Sequence, residues 1–456
     1  MNKEEAKRRQ IDIFENYPVP RAMMTMAIPT VISQLITLIY NMADTWFIGL
    51  TNDPYMVAGC SIVLPLFMLT IIISNLFGTG GGTLISRLLG VYDNDEARKV
   101  SALSLWLTVG VTVLYSLLCL VFMDPILRFL GASDNVIPYA RQYVFFVIVV
   151  GGLPTILSNC MSTIIRSIGN SKAASIGLSM GGLLNIALDP LFMFVILKPG
   201  QQVMGAAMAT CLSNCIALVY YIIVFTRHAK AGLVGIDIRK GLPRRDSVRK
   251  IFDVGVPAAL AAFLFDLLNM TINKLASGHG DIALAAIGIV LKVERLPLNI
   301  GIGISIGMIP LVAYNYSSGN YKRMNEVFNF ARICGLTVAF ICVILYRSFA
   351  PQIMEFFIKE PQTVQYGTEY LRARCLATPL MFLCFSVVHF CQAIGKGGAS
   401  LAMAVFRQLV FNIPMLIVLN HFFGMSGVVW TQLIADFCTV VVSYIIYFGI
   451  RKKEGF

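Results

Sequence analysis

Apolar runs of about twenty residues or more recur along the whole chain and constrain its fold more than any other feature. Runs of that length cross the hydrocarbon core of a bilayer as helices. Hydrophobic residues make up 57% of the sequence and charged residues only 13%, a balance that soluble domains do not show. A transmembrane barrel would instead alternate apolar and polar residues over segments of about ten, unlike the continuous run at residues 183–197. The sequence therefore predicts an all-α polytopic membrane protein.

Charged residues and Gly/Pro breaks divide the chain into twelve predicted transmembrane segments. They cover residues 23–49, 57–85, 100–123, 139–165, 173–197, 204–226, 251–276, 283–313, 327–350, 368–392, 399–421 and 426–449. We expect an N-terminal segment (1–22), an N-lobe of six helices (23–226), a linker loop (227–250), a C-lobe of six helices (251–449) and a tail (450–456).

The two halves of the chain are copies of one another. Pro29 aligns with Pro257 at an offset of 228 residues, and Gly205 aligns with Gly427 at an offset of 222. Because each copy has six helices, the copies have the same topology and are related by a pseudo-two-fold axis along the membrane normal. Two such bundles with a cavity between them favour a transporter that works by alternating access.

Basic residues set the predicted orientation. Over the termini and the alternate connections, 26 of the 36 lysines and arginines fall on the side that carries both termini and the long middle loop, and 8 fall on the other; the remaining two, Lys292 and Arg295, lie within the eighth segment. By the positive-inside rule both termini and that loop are cytoplasmic. The net charge of +12 is therefore explained by topology and anionic lipid rather than by nucleic acid.

The first predicted helix carries an acid, Asp44, within its apolar run. A carboxylate there is costly unless it is paired, protonated or hydrated, so it marks a candidate functional site. Tyr40 lies one turn earlier on the same face, and Asn41 is adjacent to it. The alternative is that Asp44 lies near the helix end and contacts lipid headgroups.

The fifth predicted helix repeats the pattern with Asn185 and Asp189, followed by Pro190. Proline frees a backbone carbonyl, so clustered oxygens are expected here, with Thr210 of the sixth helix as a further hydroxyl. Such a set suits Na⁺ or a proton on Asp189. Two acids in a poorly hydrated cavity would share one cationic partner, either the coupling ion or a cationic substrate, and this competition is the basis of antiport. The alternative is a kinked helix whose acid bonds a neighbouring helix.

The C-terminal copy lacks these acids and carries a different polar set. Lys292, Glu294 and Arg295 can form a locally neutralised trio. Asp266 has no adjacent base and is a candidate second cation site. The glycine-rich stretches at residues 78–82 and 301–307 lack the lysine of a phosphate loop and predict tight helix packing.

The sequence contains no hydrolytic constellation and no nucleotide-binding motif. We therefore expect a transporter that is not an enzyme and has no cofactor, driven by an ion gradient. Its partners would be the lipid bilayer and small molecules, and two bundles in one chain can function as a monomer.

Eight short motifs resemble the multidrug and toxic compound extrusion (MATE) family, and the opening FENYPVPRAMM resembles its MepA-like branch. They are IP at 28–29, ADTWFIG at 43–49, SRLLG at 86–90, IRSIGN at 165–170, LNIALDPLF at 184–192, GAAMAT at 205–210, PLVAYNYSSGN at 310–320 and QAIGKG at 392–397. Together they span both halves of the chain.

This resemblance implies multidrug efflux across a bacterial cell membrane, with export of amphipathic organic cations in exchange for H⁺ or Na⁺. It also implies an N-lobe ion site at Asp44, Asn185, Asp189 and Thr210, with Tyr40 one turn before the first acid. Some relatives place a glutamate in helix seven shortly after Gly-x-Pro, where this chain has Asp266 one position later. The alternative function is a flippase for a lipid-linked precursor of the wider superfamily, which would usually have more helices or a cationic cavity.

Overall fold

The structure, a computed structural model, describes residues 8, 10–51 and 53–456. That part of the chain is helical and contains no strand. Ten long helices follow in order: α1 (Val19–Gly49), α2 (Pro54–Gly90), α3 (Asn94–Val121), α4 (Ile137–Ser167), α5 (Ser171–Ile196), α6 (Gln202–Lys230), α7 (Arg245–Ser277), α8 (Asp281–Ser317), α9 (Tyr321–Phe357) and α10 (Pro361–Ala393). The last helical stretch is Gly397–Glu454.

That last stretch contains two spans. At 58 residues it would measure about 87 Å as one straight helix, roughly twice the thickness of a bilayer. Gly424 breaks it with a φ of 59° and a ψ of −142°, a conformation that favours glycine. We therefore divide it into α11 (397–423) and α12 (425–454). With α4 taken as one span bent by 46°, the described residues form the twelve predicted transmembrane helices.

Several helices begin earlier than predicted because side chains cap their first turns. Asp53 Oδ1 accepts the backbone N–H of Tyr55 at 2.8 Å, so α2 begins at Pro54 and continues through a break at Val63. Asn320 caps α9 in the same way. Because α6 and α7 extend into the predicted linker, the connection between them covers only residues 231–244. Residues 1–7 and 9 of the predicted N-terminal segment lie outside the described residues.

The two lobes contact each other through α1 with α8 and α2 with α7, and glycines form both contacts. A Cβ atom at Gly307 would lie 2.7 Å from the Cα of Ala27, and one at Gly303 would lie 2.7 Å from the Cα of Val31. Gly80 faces the α7 backbone at Gly255, with 3.1 Å from its added Cβ to the Cα of that residue. The glycine-rich stretches therefore pack helices closely, as predicted, and the helices they join belong to different lobes.

A short π-helix, Asp12–Asn16, bridges the lobes at the end that carries both termini. Phe14 is fully buried, and its ring stacks on that of Tyr314 at 4.7 Å. Glu15 Oε1 accepts the hydroxyls of Tyr92, from the N-lobe, at 2.7 Å and of Tyr314, from the C-lobe, at 2.5 Å. Arg323 donates to the carbonyl of Phe14 at 2.8 Å. This segment, which we call the N-terminal strap, closes that end of the molecule.

Candidate functional site

The candidate site lies where α1 packs against α5 inside the N-lobe. Tyr40 and Asp44 are on α1, while Asn185 and Asp189 are on α5. A Cβ atom at Gly182 would lie only 2.8 Å from Cδ1 of Tyr40, so glycine makes room for the phenol ring beside the polar residues of α5. The two predicted helix faces therefore meet.

The amide group of Asn185 connects Asp189 on the same helix with Thr210 on α6. Its Nδ2 donates to Asp189 Oδ1 at 3.0 Å and lies 3.2 Å from the hydroxyl oxygen of Thr210 on α6. Asn185 is 3% exposed and Asp189 is 0% exposed. The side chains predicted from the fifth and sixth helices thus form one buried polar cluster.

Three buried oxygens around this cluster have no hydrogen-bond partner in the described part of the chain. They are Asp44 Oδ1, Asn185 Oδ1 and Asp189 Oδ2. A buried polar atom left without a partner costs about 1–3 kcal/mol, and three in one place call for a ligand. Carboxylate and amide oxygens are acceptors, so their partners are hydrogen-bond donors or cations. The set therefore suits a proton or a small hard cation.

Electrostatics couples the two acids. The carboxylates of Asp44 and Asp189 lie close enough to repel one another. Asp189 is buried and Asp44 is half-buried with its Oδ1 enclosed, so one positive charge placed between them would be attracted by both. The backbone next to Asp189 is also irregular. Pro190 ends the regular part of α5, and residues Leu191–Ile196 continue it as a wider π-helix, a feature that is frequent at functional sites.

Asn41 takes no part in the buried cluster. Its residue is exposed, and its carbonyl accepts the hydroxyl of Thr45 at 2.9 Å. Tyr143 on α4, in contrast, interacts electrostatically with Asp44, Asp189 and Tyr40. Sequence reasoning missed Tyr143, because a tyrosine in an apolar helix is common and only the tertiary fold places it beside the acids.

The C-lobe contains two buried ion pairs. Glu294 binds Arg374 of α10, with Nε 2.9 Å from Oε1, rather than its neighbours Lys292 and Arg295. Asp436 of α12 is fully buried and accepts from Arg407 of α11 at 2.7 Å. The predicted local trio is therefore replaced by a pair between helices.

Asp266, the candidate second cation site, is half-buried on α7 and interacts electrostatically with Arg295. Its surroundings therefore include a basic group that competes with a bound cation for its carboxylate. A C-lobe cation site at this residue stays a prediction.

The repeat of the sequence appears again when the chain is compared with known families. The MatE family model matches twice, over residues 29–191 and 257–418. The chain belongs to the MatE family.

Curated relatives and solved structures agree with this assignment. "Multidrug export protein MepA" of Staphylococcus aureus (strain MRSA252) is 31% identical over 448 residues, covering 98% of this chain and 97% of the relative. MepA of Staphylococcus haemolyticus (strain JCSC1435) is 31% identical over 447 residues, with the same coverage. These matches confirm the predicted resemblance to the MATE family and to its MepA-like branch.

The fold matches a crystal structure described as the outward-facing conformation of a multidrug resistance MATE family transporter of the MOP superfamily. That match has a TM-score of 0.89 and 23% identity, and covers 95% of this chain and 96% of the other. It confirms the predicted fold class. As a MatE family member the chain is a membrane-spanning secondary transporter and not an enzyme.

Proposed function

We propose that this MatE protein exports amphipathic organic cations, several drugs and dyes among them, in exchange for H⁺ or Na⁺. The observation that carries the proposal is the set of three buried oxygens without partners at Asp44, Asn185 and Asp189. The multidrug export named for the MepA relatives supports the choice of substrate.

Competition for one negative site couples the two fluxes. Asp44 and Asp189 repel each other, so neutralising them by a proton, Na⁺ or a cationic substrate removes the same unfavourable energy. Only one of these cations at a time can gain the full attraction of the two carboxylates. Binding of the ion on one side of the membrane therefore drives release of the substrate there, which is the thermodynamic requirement for antiport.

Alternating access requires the lobes to separate at one end while they close at the other. Here they meet at the end that carries both termini, through glycine contacts and the N-terminal strap. The excess of lysine and arginine at that end supports a cytoplasmic orientation for it. We infer that this conformation is closed toward the cytoplasm and that transport passes through one in which these contacts are broken.

The test is ethidium transport into inside-out vesicles, with either a pH gradient or a Na⁺ gradient imposed. The parent is compared with Asp44→Asn and Asp189→Asn, and with Asp134→Asn as a matched control. Asp134 is exposed and pairs with Arg128 at the surface, at 2.9 Å. We expect one gradient to drive uptake in the parent and the control, and uptake in both site variants to fall to the level of vesicles without the protein.

Two outcomes would contradict the proposal. If both site variants are produced in normal amounts and transport at the parent rate, the acids do not carry the coupling ion. If the parent moves no dye under either gradient, and its deletion causes a lipid-linked precursor to accumulate, the protein is the alternative flippase.

A further inference from the structure

A cavity inside the C-lobe occupies the place that corresponds to the N-lobe site. It is lined by residues of α7, α8, α10, α11 and α12. Among its lining residues are Ile272 and Gln432. By the repeat offsets of 228 and 222, Ile272 corresponds to Asp44, and Gln432 corresponds to Thr210.

The charges of this cavity are opposite in character to those of the N-lobe site. Three guanidinium groups line it, from Arg295, Arg374 and Arg407, together with two carboxylates, from Glu294 and Asp436. The N-lobe site offers acids and oxygen acceptors, whereas this cavity offers mainly N–H donors. An arginine cannot lose its charge in a protein, so these donors persist at every physiological pH.

One of the buried guanidinium groups has an unused donor. Arg374 is 4% exposed in its side chain and binds Glu294 through Nε at 2.9 Å and Nη2 at 2.9 Å. Its Nη1 is buried and has no hydrogen-bond partner among the described residues. A buried charged donor without a hydrogen bond is costly. This atom therefore indicates an acceptor that the described part of the protein does not supply.

Arg295 adds a second available donor group. It is exposed, lines the same cavity and forms no ion pair within 4.0 Å in the described ranges. It interacts electrostatically with Asp266 of α7. Arg407, in contrast, is engaged by Asp436 at 2.7 Å, and Gln432 occupies the second oxygen of that acid at 2.7 Å. The donors available to an incoming anion are therefore Nη1 of Arg374, which has no partner in the described part of the chain, and the guanidinium of Arg295, which no ion pair within 4.0 Å holds there.

We propose that this C-lobe cavity binds the carboxylate of amphipathic zwitterions or anion-bearing aromatic substrates, through Arg295 and Nη1 of Arg374. Guanidinium groups match carboxylates in geometry and charge, and the remaining walls include apolar side chains such as Phe265, Leu291 and Met381. The inference rests on the proposed drug-export function and extends its substrates beyond simple cations. It assigns a second subsite, separate from the acids of the N-lobe.

Two dyes that differ only at the carboxyl group give the test: tetramethylrhodamine, a zwitterion, and its methyl ester, a cation. Binding to the purified full chain in nanodiscs of neutral lipid is followed by fluorescence anisotropy. The variants are Arg295→Gln and the double variant Glu294→Gln/Arg374→Gln, which removes the buried pair without leaving a lone charge. Arg372→Gln is the matched control, because Arg372 is exposed two residues away on α10 and is not part of the cavity lining.

We expect each cavity variant to weaken binding of the free acid by about tenfold, the usual worth of one charge-assisted hydrogen bond, and to change binding of the ester less than about twofold. The control should change neither. The inference is overturned if the parent does not bind the free acid, if the variants leave it unchanged, or if they weaken acid and ester equally, which indicates a packing role. Failure of the drug-export proposal would appear separately, as loss of ion-driven ethidium uptake in the parent vesicles.

Discussion

The contact between α1 and α8 leads to a prediction about the transport cycle. In Gly307→Ala the added Cβ would lie 2.7 Å from Cα and 2.9 Å from N of Ala27, while ordinary contact begins at 3.4 Å. The opposing atoms are backbone and cannot rotate away, so the helices must separate by about 0.7 Å. Overpacking of this kind costs about 1–3 kcal/mol.

The cost falls only on the conformation in which the lobes touch at this end. The population of that conformation relative to the one open at this end should therefore fall by about 5- to 150-fold. Substrate binding from that end should become easier, and ion-driven turnover should slow.

Spin labels at Asp95 of the N-lobe and Lys322 of the C-lobe report the separation directly. Both residues are exposed, and unnatural amino acids allow labelling while the eleven cysteines stay in place. Pulsed electron paramagnetic resonance should show a shift to longer distances in Gly307→Ala. Gly288→Ala is the matched control, because an added Cβ there meets nothing within 4 Å. An unchanged distance distribution in Gly307→Ala would refute the reasoning that this contact breaks during the cycle.

Three further changes test other parts of the structure. Gly182→Ala should push the Tyr40 ring away, since its Cβ would lie 2.8 Å from Cδ1, and should lower ion-driven ethidium uptake at normal protein levels; parent-level uptake would contradict this. The hydrogen bond to Glu15 raises the pKa of Tyr92, so its contribution to holding the strap is present below the ordinary tyrosine pKa and is lost as pH rises through the raised value. The ionisation of Tyr92 is followed by its tyrosinate absorbance, taken as the difference between the protein and its Tyr92→Phe variant during a pH titration. The midpoint of this titration should move to lower pH when Glu15→Gln is also present, and an identical midpoint would argue against the bond. Arg407→Gln leaves a buried carboxylate unpaired and should destabilise the fold by about 3–5 kcal/mol, seen as a lower thermal midpoint in detergent; no decrease would show that water reaches the acid.

Sequence reasoning located most of the candidate site because acids stand out in apolar helices. Asp44 and Asp189 stand out for that reason, and Thr210 is a hydroxyl of the next helix that the family resemblance also implies. The spacing of four residues places Tyr40 on the same face as Asp44. Asn41 is a candidate because it is adjacent to Tyr40, and the structure leaves it exposed. Helical periodicity shows which residues share a face and cannot show which face meets another helix.

Contacts between distant parts of the chain were the part that could not be predicted. Glu294 was paired with its helix neighbours by spacing, whereas the fold brings Arg374 from α10 to within 2.9 Å of it. The glycine-rich stretches predicted close helix packing but not that the packing joins the two lobes. The sequence places Phe14 in the N-terminal segment outside the predicted helices, yet the structure buries it fully between the lobes.

The central claim is that one site binds either the coupling ion or the substrate. Adding ethidium to the purified protein in weakly buffered solution, while the pH is recorded, tests it directly, with the same titration repeated in Na⁺ and in choline salt. We predict release of about one proton per bound dye, or weaker dye binding in Na⁺ than in choline, and neither effect in the Asp44→Asn/Asp189→Asn double variant. Dye binding by the parent with no proton release and no dependence on Na⁺ would contradict the account.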